Sequence, residues 1–313
     1  MSNDEPSRGG PPTGEQYVID HGDAQATVTQ VGATLRGYTV DGCDVIDGFG
    51  LDDRARDGRG QVLAPWPNRL DGGRYAFEGR EGRAAIDEPE RGNAIHGLVR
   101  WLPWRVGSKT DDAVTLTCVL PAQPAYPWRL ELRLDYRLGP EGLAVTTRAT
   151  NASDRPAPFG IGFHPYLTVG VSVDGAVLTL PASRRLLTDE RALPVGEEEV
   201  DGIALDFRQA RTIGEAQLDT CFTGLVRDDD GRVRARIEAG ERAVELWADD
   251  AFAYLQAYTG DTLEPVSRRR QAIAVEPMTC PPNALATGTD LVRLEPGAIW
   301  SGTWGIDPQS PSA

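Results

Sequence analysis

The chain has 313 residues, 40% of them hydrophobic and 25% charged, so it can bury a sizeable core and is not disordered by composition. Its 47 acidic residues against 32 basic ones leave a net charge of −15, which repels phosphate backbones and anionic lipid at long range. Nucleic acid and membrane surfaces are thereby argued against as partners, while length alone fits either two ordinary domains or one large β domain.

The first residues, MSNDEPSRGGPPTGEQ, have no basic stretch followed by an apolar one. They read as neither signal nor transit peptide and predict a cytoplasmic protein. Residues 1–14, rich in Pro, Gly and Ser, read as a disordered tail, and 308–313 read the same way. Between these tails no linker or fixed-period repeat divides residues 15–307, which are expected to form one domain. Cys43, Cys118, Cys221 and Cys280 are widely spaced without a CxxC pair, the pattern of reduced, mostly buried thiols.

Strand patterning begins clearly at Ala113 to Leu120. Leu130, Leu132, Leu134, Tyr136 and Leu138 then alternate with Arg129, Glu131, Arg133, Asp135 and Arg137, the two-residue period of a half-buried antiparallel strand. Gly139, Pro140, Glu141 and Gly142 supply a turn, and Leu143, Val145 and Thr147 resume the alternation, predicting a hairpin. The uncharged run from Pro156 to Val173 holds three prolines, three glycines and a histidine, which suits a folded functional segment and not a membrane helix. Further strands are expected at Val233 to Glu238, Ala243 to Ala248, Ala253 to Tyr258 and Ala272 to Glu276. No window sustains a helical period with caps, so the fold class is all-β, a single large antiparallel sandwich.

Histidine is scarce: only His21, His96 and His164 occur. His21 lies in a polar stretch and is assigned nothing. His96, in Asn93-Ala94-Ile95-His96-Gly97-Leu98, is followed by Val99, Arg100, Trp101 and Trp104, a mixture of polar groups and aromatic faces that suits a sugar. His164 follows Gly160, Gly162 and Phe163, where glycine lets backbone approach a ligand, and Pro165 biases it toward extended backbone. Glu276 follows the apolar run Ala272–Val275 and precedes Pro277. A carboxylate at the end of a buried strand suits acid–base work.

The segments GQVLAPWPNRLDGGRYAFEG, NAIHGLVRW, PFGIGFHPYL, LDTCF, LQAYTG, AVEPMTCPPNA and LEPGAIWSGTWGI resemble, in this order, the aldose 1-epimerase (galactose mutarotase) family. The resemblance implies a large antiparallel β-sandwich with a sugar cleft, interconverting the anomers of a free hexose without metal or cofactor. It implies Glu276 as catalytic base, His164 as catalytic acid and His96 as the second histidine at the ring. Asn68, Arg69 and Tyr166 correspond to its substrate pocket, and Asp219 and Gln256 to further hydroxyl-binding positions. Where the family has Glu, a residue, then Gln, this chain reads Glu276, Pro277, Met278. Val99-Arg100-Trp101 resembles a bacterial subgroup with members acting on unusual or anionic hexoses.

Three rivals stand beside this reading. A non-catalytic sugar-sensing module could use the same fold. A hexose-6-phosphate 1-epimerase would need an arginine cluster, for which Arg69, Arg74 and Arg100 are available. Two histidines and a carboxylate could instead ligate non-haem iron. Of the tryptophans, Trp66 and Trp101 are the candidates to line a cleft, and the oligomeric state is left open.

Overall fold

The computed structural model describes residues 10–309. Two large antiparallel sheets dominate. The nine-stranded sheet runs, in spatial order, Arg105–Lys109, Ala113–Leu120, Leu130–Gly139, Gly142–Asn151, Ile299–Gln309, Arg242–Ala248, Val233–Ala239, Val177–Thr179 and Arg211–Thr212. The eight-stranded sheet runs Pro194–Glu199, Ala182–Thr188, Asp219–Leu225, Tyr254–Tyr258, Ile273–Met278, Gly162–Phe163 and Val62–Leu63, with Tyr166–Leu167 also paired to Ile273–Met278. A four-stranded sheet, Gln16–His21 to Cys43–Asp44, completes the N-terminal part. Helix among the described residues is confined to one turn at Ala284–Thr287 and two short 3-10 turns.

The alternating segment forms the strand Leu130–Gly139, with every odd turn of the pleat buried, and pairs residue for residue with Gly142–Asn151 from Leu130 opposite Asn151 to Gly139 opposite Gly142. Each leucine fully buried there stabilises the fold by roughly 1.5–3 kcal/mol, which fixes the register because a one-residue slip would expose them all. The same faces meet across the sandwich: Phe163 of the eight-stranded sheet lies 4.9 Å from Trp304 of the nine-stranded one. All strands expected from patterning are present. The strand carrying Glu276 runs on through Pro277 to Met278, so the carboxylate is interior to the strand and not at its end.

The tail boundaries need adjustment. Thr13 is buried, its carbonyl accepting from the Val31 amide at 3.0 Å, and its hydroxyl accepting from Gln16 Nε2 at 3.0 Å. Thr13 and Gly14 therefore lie on the fold, their carbonyls accepting from the Val31 amide and from Gln16 Nε2. Pro308 and Gln309 likewise belong to the last strand. The remaining tail residues, 1–9 and 310–313, lie outside the described residues. Cys43 is exposed, and the other three cysteines are buried free thiols.

Candidate active site

Strand alternation delivers the floor of the site. On Ile273–Met278, Ile273 and Val275 join the main core, which turns Glu276 to the opposite face. On the neighbouring strand Leu255 and Ala257 face the core, and Gln256 stands opposite Glu276. On the next, Phe222 faces the core and Asp219 emerges beside Gln256, whose Nε2 donates to Asp219 Oδ1 at 2.7 Å. Three adjacent strands thus put three polar side chains on one surface.

His164 lies between the short strands Gly162–Phe163 and Tyr166–Leu167, which both pair with Ile273–Met278 on its other edge. Phe163 points into the core and His164, one residue on, into the cleft. Its backbone is pinned in both directions: the Gly60 amide donates to His164 O at 2.9 Å, and the His164 amide donates to Gln61 O at 3.2 Å. Gly58 packs so close that a Cβ there would meet the imidazole Cδ2 at 2.3 Å, and its φ of +72° also demands glycine.

His96 sits where the strands Arg69–Asp71 and Asn93–Ile95 pair. Its amide donates to Asn68 O at 2.9 Å, and both residues occupy the left-handed region, φ 64° for His96 and 54° for Asn68. A non-glycine residue held there costs of order 1–3 kcal/mol, and such conformations cluster at functional sites. Gly97 beside it packs its α-carbon on the Ala64 carbonyl, where a Cβ would come within 2.1 Å.

These segments enclose a cleft of about 590 Å³ lined by Glu276, His164, His96, Asn68, Arg69, Tyr166, Asp219 and Gln256. At its base His164 Nε2 lies 3.2 Å from Glu276 Oε1, both side chains almost wholly buried. The imidazole stacks on the Tyr166 ring at 5.0 Å and 18°, and meets the His96 ring edge-on at 5.5 Å. Glu276 Oε2, the Nδ1 atoms of both histidines and Gln256 Oε1 are buried without a protein partner. Buried polar atoms left unpaired cost about 1–3 kcal/mol each, so four in one cleft point to a polar ligand that satisfies them.

Burial sets the protonation states. It pushes the Glu276 carboxyl well above the usual range, with Asp219 adding to the rise and Arg69 opposing it. Burial pulls His164 down to about 3, helped by the Arg59 and Arg100 cations, and pulls His96 well below its ordinary value, helped by His164, Arg100 and Arg69. Between Glu276 and His164 the shared proton therefore resides on Glu276, and both histidines are neutral.

Arg69 is fixed by a network the sequence did not reveal. Its Nε donates to both Glu88 oxygens at 3.0 and 3.1 Å, and its Nη2 lies 3.8 Å from Asp219 Oδ2. Burial pushes Glu88 up, but hydrogen bonds from Arg69, Asn93 and Arg91 outweigh it and hold the carboxylate below its ordinary value. Arg100 reaches the cleft and pairs with Asp87. Glu88 and Asp87 lie in an acidic, proline-containing loop with no motif to mark them.

Several expectations change. Trp66 is buried in the main core and Trp101 is half exposed and outside the cleft, so neither offers a stacking face there. Arg74 is exposed on a short hairpin strand away from the cleft, so the three-arginine cluster does not assemble. Met278 shares the face of Glu276 but packs with Cys221 and Tyr254 outside the cleft, and Gln256 is the amide that stands opposite Glu276. Among the described residues no group of three or more His, Cys, Asp or Glu side chains is disposed to hold a metal ion.

A polar cleft on the free face of an antiparallel sandwich, with a histidine and a glutamate side by side at its base, is an architecture suited to acid–base chemistry on a small polar ligand. The chain belongs to the aldose 1-epimerase family, whose model matches residues 15–306. It is 36% identical over 287 residues to the uncharacterised protein YihR of Escherichia coli strain K12, covering 91% of this chain and 90% of that protein. Among solved structures it resembles the GalM/aldose epimerase homologue of C. elegans, with a TM-score of 0.85 at 18% identity, over 95% of this chain and 99% of that one. It also resembles galactose 1-epimerase of Lactobacillus acidophilus NCFM, with a TM-score of 0.77 at 21% identity and 93% coverage of each chain. At these identities the structural likeness concerns the fold.

Proposed function

We propose that this protein is a mutarotase that interconverts the α and β anomers of a free hexose, with Glu276 as base, His164 as acid and His96 against the sugar ring. The observation that carries the reading is the 3.2 Å separation of His164 Nε2 and Glu276 Oε1. Anomeric O1 and ring O5 are both bonded to C1, so the groups that exchange protons with them must stand side by side.

With sugar bound, the pair's proton first passes from Glu276 Oε1 to His164 Nε2 across their 3.2 Å contact, and in ring opening the freed Glu276 carboxylate takes the O1 proton as the O1 electrons form the carbonyl. The C1–O5 bond breaks, its electron pair goes to O5, and His164 protonates O5. This leaves neutral histidine and protonated glutamate, the state that burial favours. After rotation about C1–C2, O5 attacks the other carbonyl face, returning its proton to His164 while Glu276 returns one to O1. The pair holds one proton throughout and exchanges roles on closure. A sensing module would have no need of two proton-exchanging groups at this spacing.

The cleft's charges support a neutral sugar. Asp57, Asp87, Glu88, Glu90, Asp219, Asp261 and Glu276 line it against Arg69, Arg91 and Arg100. Each of the three guanidiniums is already within 4 Å of a carboxylate, leaving none free for a phosphate. Anomer exchange followed by NMR on galactose, glucose, a hexose 6-phosphate and a sulfonated hexose tests this. Acceleration is expected on a neutral member; acceleration confined to the charged members would reverse the assignment of substrate class.

A further inference from the structure

The face of Tyr166 that carries the His164 imidazole belongs to a ring with a second tenant. Arg59 is almost wholly buried and does not line the cleft. Its guanidinium carbon stands 4.3 Å from the centroid of the Tyr166 ring. Asp47 grips the guanidinium by its edge: Nε donates to Asp47 O at 2.9 Å and Nη2 to Asp47 Oδ2 at 3.0 Å. That leaves the flat face for the aromatic ring. Asp47 in turn donates its amide to Tyr166 O at 2.8 Å, and its other oxygen accepts from Arg268 Nη2 at 2.9 Å. The Tyr166 hydroxyl donates to Asp57 O at 3.0 Å, next to the Gly58 that touches the imidazole.

We infer that Arg59 is a positioning residue for the proton transfer: acting through the Tyr166 ring, it holds the His164 imidazole against Glu276 and keeps a cation close behind it. The kinetic consequence rests on the mutarotase reading, whereas the coupling of Arg59 to His164 is a property of the ligand-free protein. Besides Arg59 and the stacked Tyr166 phenol, three charged or titratable groups bear on His164: Glu276 from the neighbouring strand, His96 from the opposite wall, and Arg100, which Asp87 pairs. Of the two cations only Arg59 is packed on the ring that stacks against the imidazole. A cation there opposes a second positive charge on His164, so the imidazolium formed during turnover gives up its proton to O5 more readily.

The test substitutes Arg59→Met in the full chain and follows the imidazole signals by NMR, where only three histidines contribute and His164 is identified by its loss in His164→Asn. In the wild type His164 should stay neutral far below the ordinary imidazole range. In R59M its titration should rise by about one unit, one unit being tenfold in proton affinity, and kcat should fall severalfold with KM nearly unchanged because the imidazole loses its alignment with Glu276. Arg59→Lys, keeping the charge without the flat face, should lie between. A purely structural Arg59 would lower the unfolding temperature and leave the His164 titration in place, which overturns the inference. Should R59M not fold, Tyr166→Leu breaks the same relay, and an unmoved His164 titration there overturns it equally. If wild-type protein accelerates no sugar, the mutarotase reading falls, while the titration still judges the coupling.

Discussion

At the scale of single residues, the site rests on two side chains whose ordinary titration is inverted by burial, Glu276 upward and His164 downward. Glu276→Gln keeps the shape while removing the base. Anomer exchange should fall by roughly 10² to 10⁴-fold, the range for a positioned acid–base group, with sugar affinity by calorimetry little changed. His164→Asn should cost a similar factor, and the double variant little more than the worse single one, because the two act as a unit. Equal turnover by both single variants would remove them from the chemistry. These residues were legible because a rare histidine just after two glycines and a carboxylate after an apolar run are conspicuous in sequence. Arg59, Glu88 and Asp87 were not: their roles arise from partners such as Asp47 and Arg69, 12 to 19 positions away, through hydrogen bonds that no local pattern encodes.

At the scale of elements, the long strands announced themselves. Leu130–Gly139 alternates strictly because one face is core and the other solvent. The strands that build the site are shorter or two-faced. Val62–Leu63, Gly162–Phe163 and Tyr166–Leu167 span two residues each, too few for a period to show. Ile273–Met278 is buried on both faces, core on one and cleft on the other, so it reads as a continuous apolar run whose end was placed too early. The wall carrying His96 depends on a parallel bridge between Ala64 and Gly97, with the Leu98 amide donating to Ala64 O at 2.7 Å. Gly97→Ala would drive its Cβ into that carbonyl at a φ of +69°. The expected result is a loss of about 1–3 kcal/mol in urea unfolding and a KM raised more than kcat is lowered, since His96 shifts while the Glu276–His164 pair stays. An unchanged KM would detach His96 from substrate binding.

At the scale of the whole molecule, the buried pair ties stability to pH. A histidine titrating near 6.5 when unfolded and about 3 when folded makes the unfolded chain take up protons first. The stability that neutral His164 confers is therefore complete above about 6.5 and is lost as pH falls toward about 3, while raised Glu276 contributes in the opposite sense, losing stability as pH rises through its folded value. Urea midpoints across this range should decline less steeply on the acid side in His164→Asn than in wild type, and an identical slope would mean that His164 is not buried neutral. The global β class followed from composition and turn frequency, but the packing of Phe163 on Trp304, which aims His164 outward, required the folded chain. The most direct test of the central claim is anomer exchange of free galactose and glucose by NMR, wild type against Glu276→Gln. Acceleration by the wild type that disappears in the variant is the predicted result; acceleration that survives the loss of the carboxylate, or none by the wild type on any hexose it binds, would contradict the account.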